Sequence, residues 1–174
     1  WGDYDNDART DLYLCREGES RLWRRTDGGW EDVTAATGTG HRGACAGAAF
    51  VDADHDGDLD LLVVSGDGPD ELYNNDLDGS FRPIAGERGL AGEGPSRGLA
   101  VADSDGDRDA DLLVLGARPP HRLHRNDRLW RYEREDSLPF LGEPVQAVLA
   151  ADGDADGTPE LFFAHGDGAV VRWR

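Results

Sequence analysis

Short apolar runs punctuate this chain at a regular interval, each bounded by Gly, Asp or Asn. Leu12–Cys15 (LYLC), Leu61–Val64 (LLVV), Leu112–Leu115 (LLVL) and Leu161–Phe163 (LFF) form one set. A second set lies a few residues on, at Arg21–Arg24, Glu71–Asn74, Arg122–Arg125 and Val170–Trp173. A third follows a Gly-containing turn at Trp30–Val33 and Phe81–Ile84, and a fourth comprises Ala46–Val51, Gly98–Ala102 and Val145–Ala150. Runs this short, with turn residues between them, predict strands. No stretch sustains a 3.6-residue period, which argues against a helical solenoid, and no helix longer than two turns is expected.

The strands belong to a repeat. An acidic stretch precedes each first run: Asp3–Asp11 (DYDNDARTD), Asp52–Asp60 (DADHDGDLD), Asp103–Asp111 (DSDGDRDAD) and Asp152–Glu160 (DGDADGTPE). Their starts lie 49, 51 and 49 residues apart. Four strands in about 50 residues is the size of a propeller blade. The expected fold is all-β, a propeller or propeller segment of about four blades. The 174 residues read as one repeat domain, with units at approximately 1–43, 44–93, 94–142 and 143–174 and the first and last incomplete. In each blade the acidic loop joins strand one to strand two, so Leu12, Leu61, Leu112 and Leu161 should be buried just behind it.

Alternate carboxylates converge on one centre if the loop coils tightly, and Ca²⁺ takes six to eight oxygens. Positions one, three, five and nine would supply side chains, and position seven a backbone carbonyl. The candidate ligands are Asp3, Asp5, Asp7, Arg9 and Asp11 in loop one, and Asp52, Asp54, Asp56, Asp58 and Asp60 in loop two. Loop three offers Asp103, Asp105, Asp107, Asp109 and Asp111; loop four offers Asp152, Asp154, Asp156, Thr158 and Glu160. An EF-hand would need a Glu at position twelve; Leu14, Val63, Val114 and Phe163 stand there instead. Loop two fits best. Loops one and three carry Ala8 and Arg108 where Gly is expected, and a left-handed backbone at that position would cost each roughly 1 kcal/mol.

Charge sharpens the picture. Asp and Glu number 36 against 18 Lys plus Arg, a net charge of −18, and the four loops hold half of those acids. Nucleic acid, which needs a basic stripe, is thereby excluded as a partner. No apolar run approaches the 18 residues of a membrane span, so no membrane insertion is expected. Opening on Trp1, the chain reads as a mature or excised piece.

The loop and strand residues resemble the FG-GAP/VCBS repeats of integrin-α-like β-propellers, nearest to the cartilage acidic protein/ASPIC-UnbV group. Gly2–Asp7, Asp11–Leu14, Trp30–Thr34, Leu72–Asn75 and Asp78–Phe81 carry the likeness. The resemblance implies a calcium-stabilised, extracellular propeller of about seven blades with an adhesion or matrix role and no shared catalytic residues. It extends calcium ligation to the loop Asp residues alone. The chain is short for such a ring. It reads as a segment of a larger ring, a compact four-bladed ring, or an arc completed by another chain.

The expected function is a secreted or cell-surface interaction module that is not an enzyme and binds a protein or glycan. A lectin-like propeller and the accessory propeller of a secreted hydrolase or lyase are the alternatives. His121 and His124 read as exposed polar residues rather than a zinc pair, having no third ligand at sensible spacing. His55, at position four of loop two, should point outward. The five Trp read as inter-blade packing. Cys15 and Cys45 read as buried free thiols in preference to a disulfide.

Overall fold

In a computed structural model, which describes residues 1–92, 94–128 and 130–173, every apolar run named above lies within a strand to within one residue. The third repeat shows the complete unit. Strands β9 (Ser96–Ala102), β10 (Asp111–Gly116), β11 (Arg122–Asn126) and β12 (Tyr132–Glu135) form an antiparallel meander in sequence order. The second repeat repeats it with β5 (Arg42–Val51), β6 (Asp60–Ser65), β7 (Glu71–Asn75) and β8 (Phe81–Pro83). The first contributes β1 (Leu12–Leu14), β3 (Arg21–Thr26) and β4 (Gly29–Asp32), with a Gly2–Asp11 bridge in place of an inner strand. The fourth has β13 (Val145–Ala151), β14 (Glu160–His165) and β15 (Val170–Trp173). The helices among the described residues, Thr34–Thr37 and the 3-10 turn Pro139–Gly142, have four residues each. The protein is a segment of an all-β propeller.

Because strand side chains alternate, each central strand serves two seams. Leu61 and Val63 of β6 face blade one and meet Tyr13 and Leu22; Leu62 and Val64 face blade three and meet Leu112 and Val114. On β10, Leu113 and Leu115 turn to blade four and pack on Leu161, Phe163 and Phe140. Each fully buried side chain of this kind is worth about 1.5–3 kcal/mol, so the seams, not the single sheets, hold the arc together.

Leu12 departs from expectation. Its counterparts Leu61, Leu112 and Leu161 are buried against the preceding blade, whereas Leu12 is only half-buried. The same parity leaves Leu14 43% and, at the far end, Leu149 62% and Val170 66% exposed. None of the three clusters joins the first sheet to the last, which sets aside the compact four-bladed ring. Trp1 and Trp30 stack edge-to-face at 6.0 Å and both stay exposed, so neither packs between blades. Trp130 and Trp173 do pack beside the seams. We expect Leu112→Ala to cost 2–5 kcal/mol of unfolding free energy and Leu12→Ala less than half of that. Denaturant titration of both variants in calcium measures the difference.

Strand β2 (Glu17–Glu19) has no counterpart in the sequence reading. It pairs with the first residues of β5, Arg42–Ala44, and so adds a fifth strand to the second sheet. That pairing brings Cys15 and Cys45 to a Cα separation of 5.3 Å, and they form a disulfide. The expectation of free thiols is therefore corrected. Thirty residues apart in sequence, the two half-cystines meet only because β2 folds back onto the next blade.

Candidate metal centres

The four acidic loops share one backbone path. Positions four and six are left-handed in every copy: Asn6 and Ala8, His55 and Gly57, Gly106 and Arg108, Ala155 and Gly157. The requirement at position six is thus real, and Ala8 and Arg108 meet it against their intrinsic preference. Side chains from the odd positions hold the coil. The position-five carboxylate accepts the amide of position seven in all four loops, at 2.9–3.2 Å. Position nine is a bracket. Asp11, Asp60, Asp111 and Glu160 are buried, and each accepts the amide of position two at 2.9–3.2 Å. The second oxygens of Asp11, Asp60 and Asp111 accept an amide from strand three, donated by Arg25, Asn75 and Asn126. One carboxylate therefore ties loop to blade.

Three carboxylate oxygens lie within 4.8 Å of one another in each loop. They belong to Asp3, Asp5 and Asp11; Asp52, Asp54 and Asp56; Asp103, Asp105 and Asp107; and Asp152, Asp154 and Glu160. Position nine joins the group in loops one and four, and position five takes its place in loops two and three. Arg9 and Thr158 stand at position seven, where each donates its amide within the coil. Asp58 and Asp109, also at position seven, have buried side chains; that of Asp109 meets Arg128 Nε at 3.0 Å.

Electrostatics separates the copies. In loop one the Arg24 guanidinium lies 2.7 Å from Asp5, and Arg9 lies 3.0 Å from Asp7. In loop three Arg125 sits 2.8 Å from Asp105, and in loop four Arg172 sits 3.2 Å from Asp154. These arginines occupy the space a cation would compete for. Loop two has Asn74 where Arg24 and Arg125 stand in their blades, and among the described residues no cation pairs with any of its five carboxylates. Burial first, then its neighbour Asp56, pushes Asp58 up to about 8. Burial likewise pushes Asp60 up to about 7, partly offset by the amides of Asn75 and Ala53. Buried oxygens of Asp52 and Asp58 in loop two, Asp5 in loop one and Glu160 in loop four have no hydrogen-bond partner. An all-oxygen set with orphaned buried carboxylates fits a hard divalent cation.

A pH dependence follows from Asp58 and Asp60. Their folded-state values lie above the ordinary carboxylate range near 4, so the native chain keeps protons that the unfolded chain loses. In chelator, the stability these groups contribute should be full only below about pH 4 and should fall steadily as pH rises from there through 7 and 8. Calcium should flatten that slope. Thermal melts from pH 5 to 9, with and without calcium, check it; a chelated protein that gains stability with rising pH would contradict it.

Three residues do more than the sequence suggested. His55 does not point outward: its Nε2 lies 2.8 Å from Asp109 of loop three, so adjacent loops touch. Asn75 and Asn126 donate from their side chains to the carbonyls of Tyr4 and Ala53 in the preceding loop, at 2.7 and 2.8 Å. Their spacing of 51 residues, a repeat length, was the signal available. His121 and His124 are both buried, not exposed, because blade packing covers the start of β11.

Comparison with known proteins agrees with this geometry. The model of the FG-GAP-like repeat matches residues 3–63 and 52–114. Cartilage acidic protein 1 of Xenopus tropicalis is 32% identical over 131 residues, covering 72% of this chain and 20% of that protein. The Homo sapiens protein of the same name is 31% identical over 143 residues, covering 76% and 21%. The chain thus spans about a fifth of the length of these relatives. The crystal structure of the V. cholerae biofilm matrix protein Bap1 superimposes with a TM-score of 0.50 at 16% identity, over 99% of this chain and 29% of that one, a likeness of fold. With acidic loops at constant spacing, a blade behind each loop and a family model matching most of its length, this chain belongs to the FG-GAP-like repeat family.

Proposed function

We propose that this chain is a calcium-binding, extracellular propeller module that acts by binding another macromolecule and catalyses no reaction. The observation that carries the reading is loop two: five carboxylates, two of them with orphaned buried oxygens and, among the described residues, none of them paired with a cation. Bound calcium would neutralise this repulsion and fix the coil. Asp52, Asp54 and Asp56 would hold it, with Asp58 and Asp60 closing the shell. Loops one, three and four would bind more weakly, because Arg24, Arg125 and Arg172 already compensate their position-three carboxylates. Affinities near 10⁻⁴–10⁻³ M are expected of an extracellular module.

Two further observations support the reading. The disulfide suits an oxidising compartment. Among the described residues, the groups of three or more converging carboxylates all lie in the acidic loops. The relatives carry cartilage in their name, which favours a matrix-type partner here. Arrays of matrix proteins and of glycans, probed in calcium and in chelator, test this. Calcium-dependent binding to protein spots is the expected result. Binding to glycans alone would replace the reading with a lectin-like propeller.

A further inference from the structure

An opening lies at the end of blade three away from its acidic loop. It has a volume of about 790 Å³ and is framed by the segment that leads into β9 and the turn Gly116–Pro120 after β10. Strand β10 leaves loop three at Asp111 and reaches this turn six residues later, so the opening sits roughly 20 Å from that loop, at the opposite end of the blade. In a chain of net charge −18 its lining is basic: Arg118, Arg122, His124 and Arg134.

The register explains the grouping. Val114 pairs with Arg122 and Leu112 with His124, and His124 pairs with Arg134. All three polar side chains therefore project on the face of blade three that looks toward blade two. At the corresponding places blade two has Glu71 and Tyr73, and blade one has Arg21 and Trp23, so this seam alone gathers Arg, His and Arg. Gly92 makes the approach possible. Its φ is +72°, and a Cβ there would stand 1.9 Å from Arg122 Nη1.

Donors outnumber acceptors. Arg122 Nη2 donates to Asp70 at 2.6 Å and to Ser96 Oγ at 2.7 Å, but its Nε is buried without an acceptor. His124 is 5% exposed, and its buried Nε2 also has no partner. Arg134 reaches Asp136, while Arg118 pairs with no acid among the described residues. Buried polar atoms left unmatched in this way carry an uncompensated desolvation cost. Among the described residues no Trp, Tyr or Phe lines the opening, so no broad apolar ring is offered to a neutral sugar. We propose that this cavity binds a small oxyanion-bearing ligand of the carboxylate or sulfate class, with the exposed Arg118 and Arg134 at the mouth and the buried Arg122 and His124 lining the base. Free sulfate and the acidic group of a uronate sugar share this chemistry.

Imidazole nitrogen resonances of His124 report on the site directly. The calcium-loaded chain is titrated with sodium sulfate, with glucuronate and with glucose, chloride holding the ionic strength constant. We expect saturable shifts with an apparent Kd near or below about 1 mM for at least one of the two anions and none with glucose. Sulfate alone would mark a bare oxyanion site; glucuronate as the tighter ligand would mark an acidic sugar unit. Arg118→Gln, an exposed change, should weaken binding about tenfold or more without moving the melting temperature. Absence of saturation with both anions, or an unchanged Kd in Arg118→Gln, would overturn the proposal.

Discussion

Calcium will raise the melting temperature of this protein, and replacing Asp54 and Asp56 together with Asn will remove most of that rise. The reason lies in what folding does to the loop. The amide-to-carboxylate bonds at positions five and nine exist only when the blade is formed, so the five acids of loop two are held together only in the folded state. A cation that binds this arrangement and not the open chain stabilises by mass action, by roughly 2.7 kcal/mol per site at free calcium 100-fold above Kd. Asp54→Asn/Asp56→Asn keeps size while removing two ligand charges. In chelator the variant should be no less stable than the parent, because repulsion around Asp58 and Asp60 is relieved as well. Four melting curves, two proteins with and without calcium, decide it. An equal calcium shift in both would mean that loop two is not a principal site.

The second large effect concerns the Cys15–Cys45 bridge. It closes a loop of about 30 residues, which by chain entropy is worth roughly 3–4 kcal/mol. It also fastens blade one to blade two where β2 crosses over, beside an edge whose Leu12 and Leu14 are poorly covered. The Cys15→Ser/Cys45→Ser double variant should melt roughly 10 °C lower than the parent in the same calcium concentration. Loss of β2 pairing should accompany the change and would appear as faster amide exchange at Gly18 and Gly43. A double variant that melts with the parent would show that β2 alone holds the junction.

Much of this architecture was legible because two signals coincide. The loops announce themselves by Asp at alternate positions, and the strands behind them by runs such as Leu61–Val64 that are buried on both faces. Where one signal is missing, the reading stopped. Glu17–Glu19 has no apolar residue, and it is a strand only because β5 extends far enough to receive it. Tyr132–Glu135 is polar apart from Tyr132 and completes blade three as its outer edge. Leu12 carries the same local code as Leu61; its exposure depends on what lies across the seam, which no local pattern encodes. The histidines were misjudged for a similar reason. His124 is buried by the adjoining blade, not by its own strand. The ranking of the loops gained a physical basis from residues outside them: one blade position is Arg in blades one and three, Arg24 and Arg125, and Asn74 in blade two.

Crystals grown in calcium and measured for anomalous scattering test the central claim most directly. The expected result is a calcium peak in loop two, 2.3–2.6 Å from oxygens of Asp52, Asp54 and Asp56 and with no nitrogen in its shell. Peaks at the arginine-compensated loops should be weaker. A loop two without a peak at millimolar calcium, or a peak ligated by a histidine nitrogen, would contradict the account.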